Sequence, residues 1–335
     1  MPRFIFGGSG SYDATQQWQW KGYVGGTHAA NTISMLDSRG QRVRKGKRAK
    51  HPRPPFPRQH QRRPGIEARI QPAPRFEGEG YRGSGVLFNK VALITGGDSG
   101  IGRAAAVLCA REGADIAIVY LKAEQQDAEH TAEAVAAEGR RILLLPGDVR
   151  HSSFCKRAVR RTVARFGHLD ILVNNAAYQK HQESIADIDD AQLKRTFETN
   201  IFGYFYMARA ALPHMRRGAS IINVGSITGL EGSPHLVDYA ATKGAIHAFT
   251  KSLATNLVES GIRVNAIAPG PVWTPLNVAD KDARDVAHFG EKVPMKRPAQ
   301  PDEIAPSIVF FASPIHSSYI TGEVLTLLGG ETTAA

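Results

Sequence analysis

The chain is poor in sulfur, with two cysteines, Cys109 and Cys155, among 335 residues. Two thiols cannot build a disulfide framework, and both fall in stretches with helical character. They read as small buried apolar residues in a protein of a reducing compartment, the cytoplasm. No apolar run reaches the roughly 20 residues that cross a bilayer. No His/Cys cluster has metal-ligand spacing, so neither a membrane nor a metal is expected. The beginning of the chain lacks the apolar core of a signal peptide. Its Arg-rich, acid-poor character resembles a transit peptide, but Trp18, Trp20 and many glycines spoil an amphipathic helix.

Acidic residues are also scarce at that end. Residues 1–75 hold 15 Lys or Arg against 3 Asp or Glu, whereas the rest of the chain holds 27 basic and 28 acidic residues. The net charge of +11 therefore belongs to an arm, with the cluster RVRKGKRAK at residues 42–50, and not to the body. Pro, Gly and Gln are frequent in the arm and no helical or strand period persists, so residues 1–52 are expected to be disordered. Such an arm could bind nucleic acid or an acidic surface. It carries no nucleic-acid-binding fold signature, so a solvated tail is favoured over a nucleic-acid partner. Residues 53–87 form a Pro-rich lead expected to pack, extended, on the domain that follows at 88–330. Met35 is an alternative start.

What is present is an alternation of strand-like and helix-like stretches. Strands are expected at residues 91–95, 115–120, 141–146, 171–174, 220–224, 262–268 and 323–327. Helices fill the gaps, with long ones around 191–215 and 236–259. This alternation implies a doubly wound parallel α/β sheet of about seven strands covered on both faces, the Rossmann fold, with ligand beyond the carboxyl ends of the strands. The run KVALITGGDSGIG at residues 90–102 joins a short apolar strand to glycines 96, 97, 100 and 102 and then to a strong helix former, RAAAVLCAREGA. A strand, a glycine-rich turn and a helix N-terminus make a pyrophosphate cradle, because glycine lets the backbone approach the ligand and the helix end favours anions.

A second pattern lies at residues 226–245, SITGLEGSPHLVDYAATKGA. Tyr239 and Lys243, four apart, share one helix face. A tyrosine has an ordinary pKa of about 10, and a nearby ammonium favours its phenolate. Tyr239 tuned toward neutrality can then exchange a proton with a substrate oxygen, and Ser226 can hold that oxygen by a hydrogen bond. The alternative for Tyr239 and Lys243 is an exposed helix pair. Asn200, in FETNIFGYF, is locally unfavourable inside a helix and signals a distortion or a bound water.

Together Thr95-Gly96-x-x-x-Gly100-Ile101-Gly102, Asn174-Asn175-Ala176-Ala177, Asn200, Ser226, Tyr239, Lys243 and Pro269-Gly270 resemble the short-chain dehydrogenase/reductase family over about residues 53–330. The Pro-rich lead is similar to that of a branch containing aldehyde reductases and glucose or ribitol dehydrogenase-like proteins. Two positions depart from the family pattern: Ala177 stands where the family has glycine, and Leu328 where relatives often have Asp. The resemblance implies a hydride transfer between a nicotinamide cofactor and a carbonyl or alcohol, with Tyr239 as acid/base. Gly96, Ser99, Gly100, Ile101 and Gly102 would frame the pyrophosphate. Asp148-Val149 would meet the adenine, although Asp148 also reads as a carboxylate stabilising a helix start. Asn174 would lie near the adenosine ribose, or be a turn residue. Asn200 would support a water linking Lys243 to solvent, Lys243 would hold the nicotinamide ribose, and Pro269, Gly270, Val272 and Thr274 would meet the nicotinamide. A homotetramer built on the two long helices is implied as well.

The end of the second strand is Tyr120, with Lys122 close behind and no acid at the position that usually reads a ribose 2′-hydroxyl. NADP is therefore favoured slightly over NAD. The substrate rim is expected at Tyr178, Gln179, Thr228, Leu230, His235 and Trp273. No Arg or Lys stands out in that set, which disfavours a 3-oxoacyl-thioester over a simple aldehyde, ketone or sugar-like alcohol. A non-enzymatic nucleotide-sensing or nucleic-acid-binding protein is the alternative from another class. N-terminal sequencing of the native protein is expected to show a start at Met35; peptides from residues 1–34 in that material would contradict it.

Overall fold

The computed structural model describes residues 51–332; residues 1–50 of the basic arm, and Met35 with them, lie outside the described residues. Seven strands form the sheet: β1 (Val91–Thr95), β2 (Asp115–Tyr120), β3 (Ile142–Pro146), β4 (Ile171–Asn174), β5 (Ser220–Val224), β6 (Arg263–Pro269) and β7 (Val324–Leu327). Their order is β3-β2-β1-β4-β5-β6-β7 and every pairing is parallel. All seven expected strands are present, three of them beginning one residue later than read. The helices are α1 (Gly100–Arg111), α2 (Gln125–Ala137), α3 (Ser152–Phe166), α4 (Asp190–Phe197), α5 (Gly203–Ala211), α6 (Thr228–Glu231), α7 (Val237–Leu257), α8 (Pro275–Val278), α9 (Ala283–Ala287), α10 (Pro301–Ala312) and α11 (Pro314–Ser317).

Strand residues alternate between two cores because successive side chains point to opposite faces. Ala92 and Ile94 of β1 pack with α1, α2 and α10, while Val91 and Leu93 pack with α3, α5 and α7. Burial on both faces explains why β1, β2, β5 and β6 are continuous apolar-rich runs without alternation. Cys109 and Cys155 are buried free thiols, one in each core. The helix expected across 191–215 is interrupted: Glu198–Phe202 is a π-turn between α4 and α5. Asn200, buried at its centre, donates from Nδ2 to Tyr178 O (2.9 Å) and Thr242 Oγ1 (3.0 Å) and accepts from Tyr178 N (2.8 Å). The wider turn is the distortion that this asparagine signalled in the sequence.

The lead from His51 to Lys90 has little regular structure but contributes Phe56, Ile70 and Leu87 to buried clusters. Phe56 stacks on Trp273 at 4.2 Å between ring centroids, and Trp273 Nε1 donates to Pro72 O. The backbones of Phe56 and Gln61 donate to Ala287 O and Val278 O. The lead thus straps the segment after β6. Glu67, also from the lead, is buried at the start of α1, where its carboxylate accepts from Gly100 N (2.5 Å) and pairs with Arg103 (2.7 Å). Ser99, the N-cap of α1, makes no side-chain cap bond, so the Glu67 carboxyl, pushed up to about 7 by burial against the pull of Arg103, caps the helix from a distant part of the chain. Phe56→Ala is expected to lower stability by about 3 kcal/mol, read as a fall in the urea midpoint; an unchanged midpoint would show that the strap is not anchored there.

Candidate active site

The sheet order places the strand reversal between β1 and β4, and the segments leaving the carboxyl ends of β1 to β6 wall one cleft of about 610 Å³. That size suits a small-molecule site. The β1–α1 turn forms its floor. Gly96 and Gly100 have φ of +61° and +51°, which only glycine adopts readily. A Cβ on Gly102 would overlap the Gly96 carbonyl oxygen, so the turn is wound as tightly as a glycine-only sequence permits. Asn175 Nδ2 clamps it by donating to Thr95 O and Gly96 O (3.0 and 2.9 Å), and Thr95 Oγ1 accepts from the backbones of Asn175 and Ala176. The turn, the α1 N-terminus and the missing Cβ atoms fit a dinucleotide pyrophosphate.

The opposite wall carries Ser226, after β5, and Tyr239 and Lys243 on α7. These elements meet because α6 lies directly on α7: a Cβ on Gly229 would fall 2.5 Å from the Lys243 carbonyl carbon. Tyr239 hydrogen-bonds to Ser226. Lys243 Nζ donates to Val224 O (2.7 Å), the carbonyl that also accepts from Tyr204 Oη (3.1 Å), and sits 5.3 Å from the Tyr239 ring centroid. Thr242 Oγ1 donates to Tyr239 O and accepts from Asn200, so the π-turn, the Tyr178 loop and the start of α7 form one rigid unit.

Comparison with known proteins follows this geometry. The family model described as Enoyl-(Acyl carrier protein) reductase matches residues 96–332. The chain is 54% identical over 273 residues to the uncharacterized oxidoreductase YhdF of Bacillus subtilis, covering 81% of this chain and 94% of that one. The chain belongs to the short-chain dehydrogenase/reductase family. It is 48% identical to the NADPH-dependent aldehyde reductase 1, chloroplastic, of Arabidopsis thaliana (80% and 94% covered) and 46% identical to the glucose and ribitol dehydrogenase of Daucus carota (82% and 96%). Its fold is similar to a Burkholderia cenocepacia short chain dehydrogenase solved in complex with NADP, with a TM-score of 0.68, 31% identity and 73% and 98% covered.

In this short-chain dehydrogenase/reductase most of the expected site residues share the cleft. Gly96, Ser99, Gly100, Ile101, Tyr120, Asp148, Val149, Ala176, Pro269, Gly270, Val272 and Thr274 line it, as do Tyr178, Gln179 and Thr228. Thr95, Gly102, Asn174 and Asn200 stand behind the wall and shape it, Asn174 through Asn223 Oδ1 (3.0 Å). Trp273 is not on the rim. It is fully buried under Phe56 and Phe289, because the lead covers the loop that carries it. Leu230 and His235 are exposed away from the wall, and His235 faces Glu183. Lys122 is exposed and does not line the cleft: it begins a short 3-10 turn whose last residue, Glu124, does line it and accepts from Leu121 N. Arg150 holds Asp148 through several hydrogen bonds, and these outweigh burial to keep the carboxyl below its ordinary range.

The sequence pattern did not reveal three other contributors. Arg63 comes from the lead, His181 from the loop after β4, and both contact the buried carboxylate of Asp280 from the loop after β6. Only the fold brings these three together. No group of three or more His, Cys, Asp or Glu among the described residues is placed to hold a metal, and no described helix is long and apolar enough to cross a membrane.

The electrostatics of Tyr239 and Lys243 differ from expectation. Burial pushes the Tyr239 phenol above its ordinary pKa, and the Ser226 hydrogen bond only partly offsets this. Burial also pulls Lys243 down to about 7. The expected lowering of Tyr239 by Lys243 is therefore reversed in the protein alone: the ammonium is itself penalised by the low-dielectric seam that holds it. A lysine with a depressed folded-state pKa costs stability fully below that value. The cost is relieved as pH rises from about 7 toward the ordinary 10.5. Lys243→Met is expected to raise the unfolding temperature of the cofactor-free protein at pH 6, with a smaller gain at pH 9, since Val224 O keeps Tyr204 as a donor. A gain that is absent at pH 6, or equal at both, would contradict the burial cost.

Proposed function

We propose that the protein is an NAD(P)-dependent carbonyl reductase and alcohol dehydrogenase acting on aldehydes, ketones or sugar-like alcohols. The observation that carries this reading is the meeting of Ser226, Tyr239 and Lys243 with the Gly96–Gly102 cradle on one cleft. The cradle and the α1 N-terminus would hold the pyrophosphate, and Lys243 and Tyr239 would face the reacting end. When bound there, the nicotinamide supplies the hydride to a carbonyl carbon or accepts it from an alcohol.

The chain's own residues handle the oxygen. The Ser226 hydroxyl orients it, and Tyr239 Oη gives it a proton during reduction or takes one during oxidation. A phenol held above its ordinary pKa stays protonated at neutral pH, which favours the reductive direction. Lys243 returns a proton toward Tyr239. Both Nδ2 hydrogens of Asn200 are taken by Tyr178 O and Thr242 Oγ1, while Lys243 itself lines the cleft. The names carried by the Arabidopsis and carrot relatives support aldehydes and sugar alcohols over thioesters.

Both cofactors are proposed. NADP is favoured on two grounds: Tyr120 in place of an acid, which lines the cleft, and Lys122, which does not line it, whereas Asp98 and Glu124 do. Against this, the Arabidopsis relative is named for NADPH. A homotetramer is proposed through the end of the π-turn, α5 and α7, where Phe202 and Phe205 are exposed and Phe205 lies 4.2 Å from Phe249.

Tyr239→Phe is expected to cut turnover at least a hundredfold while leaving NAD(P)H affinity nearly unchanged, measured by nicotinamide absorbance and fluorescence. Carbonyl reduction by the wild type should fall as pH rises through about 7, where Lys243 loses the proton it returns to Tyr239, and alcohol oxidation should climb as pH rises. Near-normal turnover in the variant, or oxidation fastest at pH 6, would remove this mechanism.

A further inference from the structure

The charged residues of the cleft are segregated along the sheet. The half beneath β1, β2 and β3 presents Asp98, the Asp148–Arg150 pair and Glu124, whose carboxyl is pushed up to about 8 by burial. The half beneath β4, β5 and β6, where Ser226 and Tyr239 lie, presents Arg63, Arg195 and Lys281 besides Lys243, and no carboxylate. The basic groups that the expected rim residues lack are supplied from elsewhere in the chain: these three come from the lead, from α4 and from the loop before α9.

Tyr178 organises two of them. Its backbone is fixed by Asn200, and its ring lies 4.4 Å from the Arg195 guanidinium and 6.0 Å from that of Arg63. Arg63 is anchored to Asp280 and to Gln179 O (3.3 Å). Lys281 Nζ meets His181 Nε2 at 3.1 Å. Asp280 neutralises one of these charges but is itself fully buried, with His181 and Gln179 as further donors. Arg195 makes no ion pair among the described residues; its recorded contact is the Tyr178 ring. A guanidinium stacked on a fixed aromatic ring keeps its in-plane donors free for an incoming oxyanion.

We propose that the substrate carries an anionic group, a carboxylate or a phosphate monoester, in addition to its carbonyl, and that Arg195 is the residue that binds that group. This rests on the carbonyl-reductase reading above. Arg63 and Lys281 hold the surrounding field positive, and Ser226 and Tyr239 take the carbonyl at the other end of the same molecule.

The test uses the full chain, NADPH and NADH, and two matched pairs of aldehydes: succinic semialdehyde against butanal for the carboxylate, and glyceraldehyde 3-phosphate against glyceraldehyde for the phosphate. The anionic member of at least one pair is expected to show kcat/KM roughly tenfold or more above its neutral partner, carried by KM. That preference should weaken as salt rises. Arg195→Gln should reduce the preference ratio about fivefold or more, and Arg195→Lys should restore part of it. Which pair shows the effect identifies the anion. Reduction of the neutral aldehydes with no anionic preference, or equal loss for both members in Arg195→Gln, overturns this proposal and leaves the carbonyl-reductase reading intact. Failure to reduce any of the four with either cofactor overturns both.

Discussion

A lysine with no carboxylate beside it, 1% exposed, sets the terms for the rest of the site. Lys243 lies in the seam between α7 and the end of β5, held by a single backbone carbonyl that it shares with Tyr204. Burying an ammonium this way costs free energy that apolar packing must offset. The two cores on either side of the sheet supply that packing, and the close approach of α6 to α7 at Gly229 prevents the seam from opening. The same burial moves Tyr239 in the opposite direction, so two groups whose ordinary values nearly coincide are driven apart in the cofactor-free protein. Once Tyr239 has given up its proton, the Lys243 ammonium is the stronger acid of the two and returns a proton to the phenolate downhill.

The lead segment is the second constraint. It supplies a carboxylate to the start of the cradle helix through Glu67 and a guanidinium to the reacting end through Arg63, and its Phe56 covers Trp273. Both halves of the cleft are thus completed by residues far upstream of the sheet. The loop after β6 is held by backbone hydrogen bonds from the lead as well as by its own short helices. A site closed by its own chain holds its shape before a substrate arrives, which lowers the ordering cost of binding.

Much of this was legible from local pattern. Strands buried on both faces leave apolar runs that bound themselves, and the glycine turn and the Tyr239–Lys243 spacing are local signals. Asn200 announced a helix irregularity by its own chemistry, and the π-turn is there. What escaped was non-local or angular. Trp273 follows Val272 on a cleft loop and so looked like rim, but its environment is set by Phe56, more than two hundred residues earlier. Lys122 and Glu124 sit two apart on one short turn, and only the turn's orientation decides which meets the cleft. The direction of the Tyr239 shift depends on burial, which spacing does not encode. Arg195 lies on α4 with no local pattern to mark it, and only the fold sets the Tyr178 ring against it.

The most direct test of the central claim is to follow the hydride itself. Full-length protein would be given NADPH or NADH carrying deuterium at the transferable C4 position together with an aldehyde that it reduces, and the alcohol product analysed by mass and NMR. The account predicts one deuterium on the former carbonyl carbon and none on the oxygen, whose proton comes from Tyr239 and solvent. A reduced product without deuterium at that carbon, or no reduction of any carbonyl with either cofactor, would contradict it.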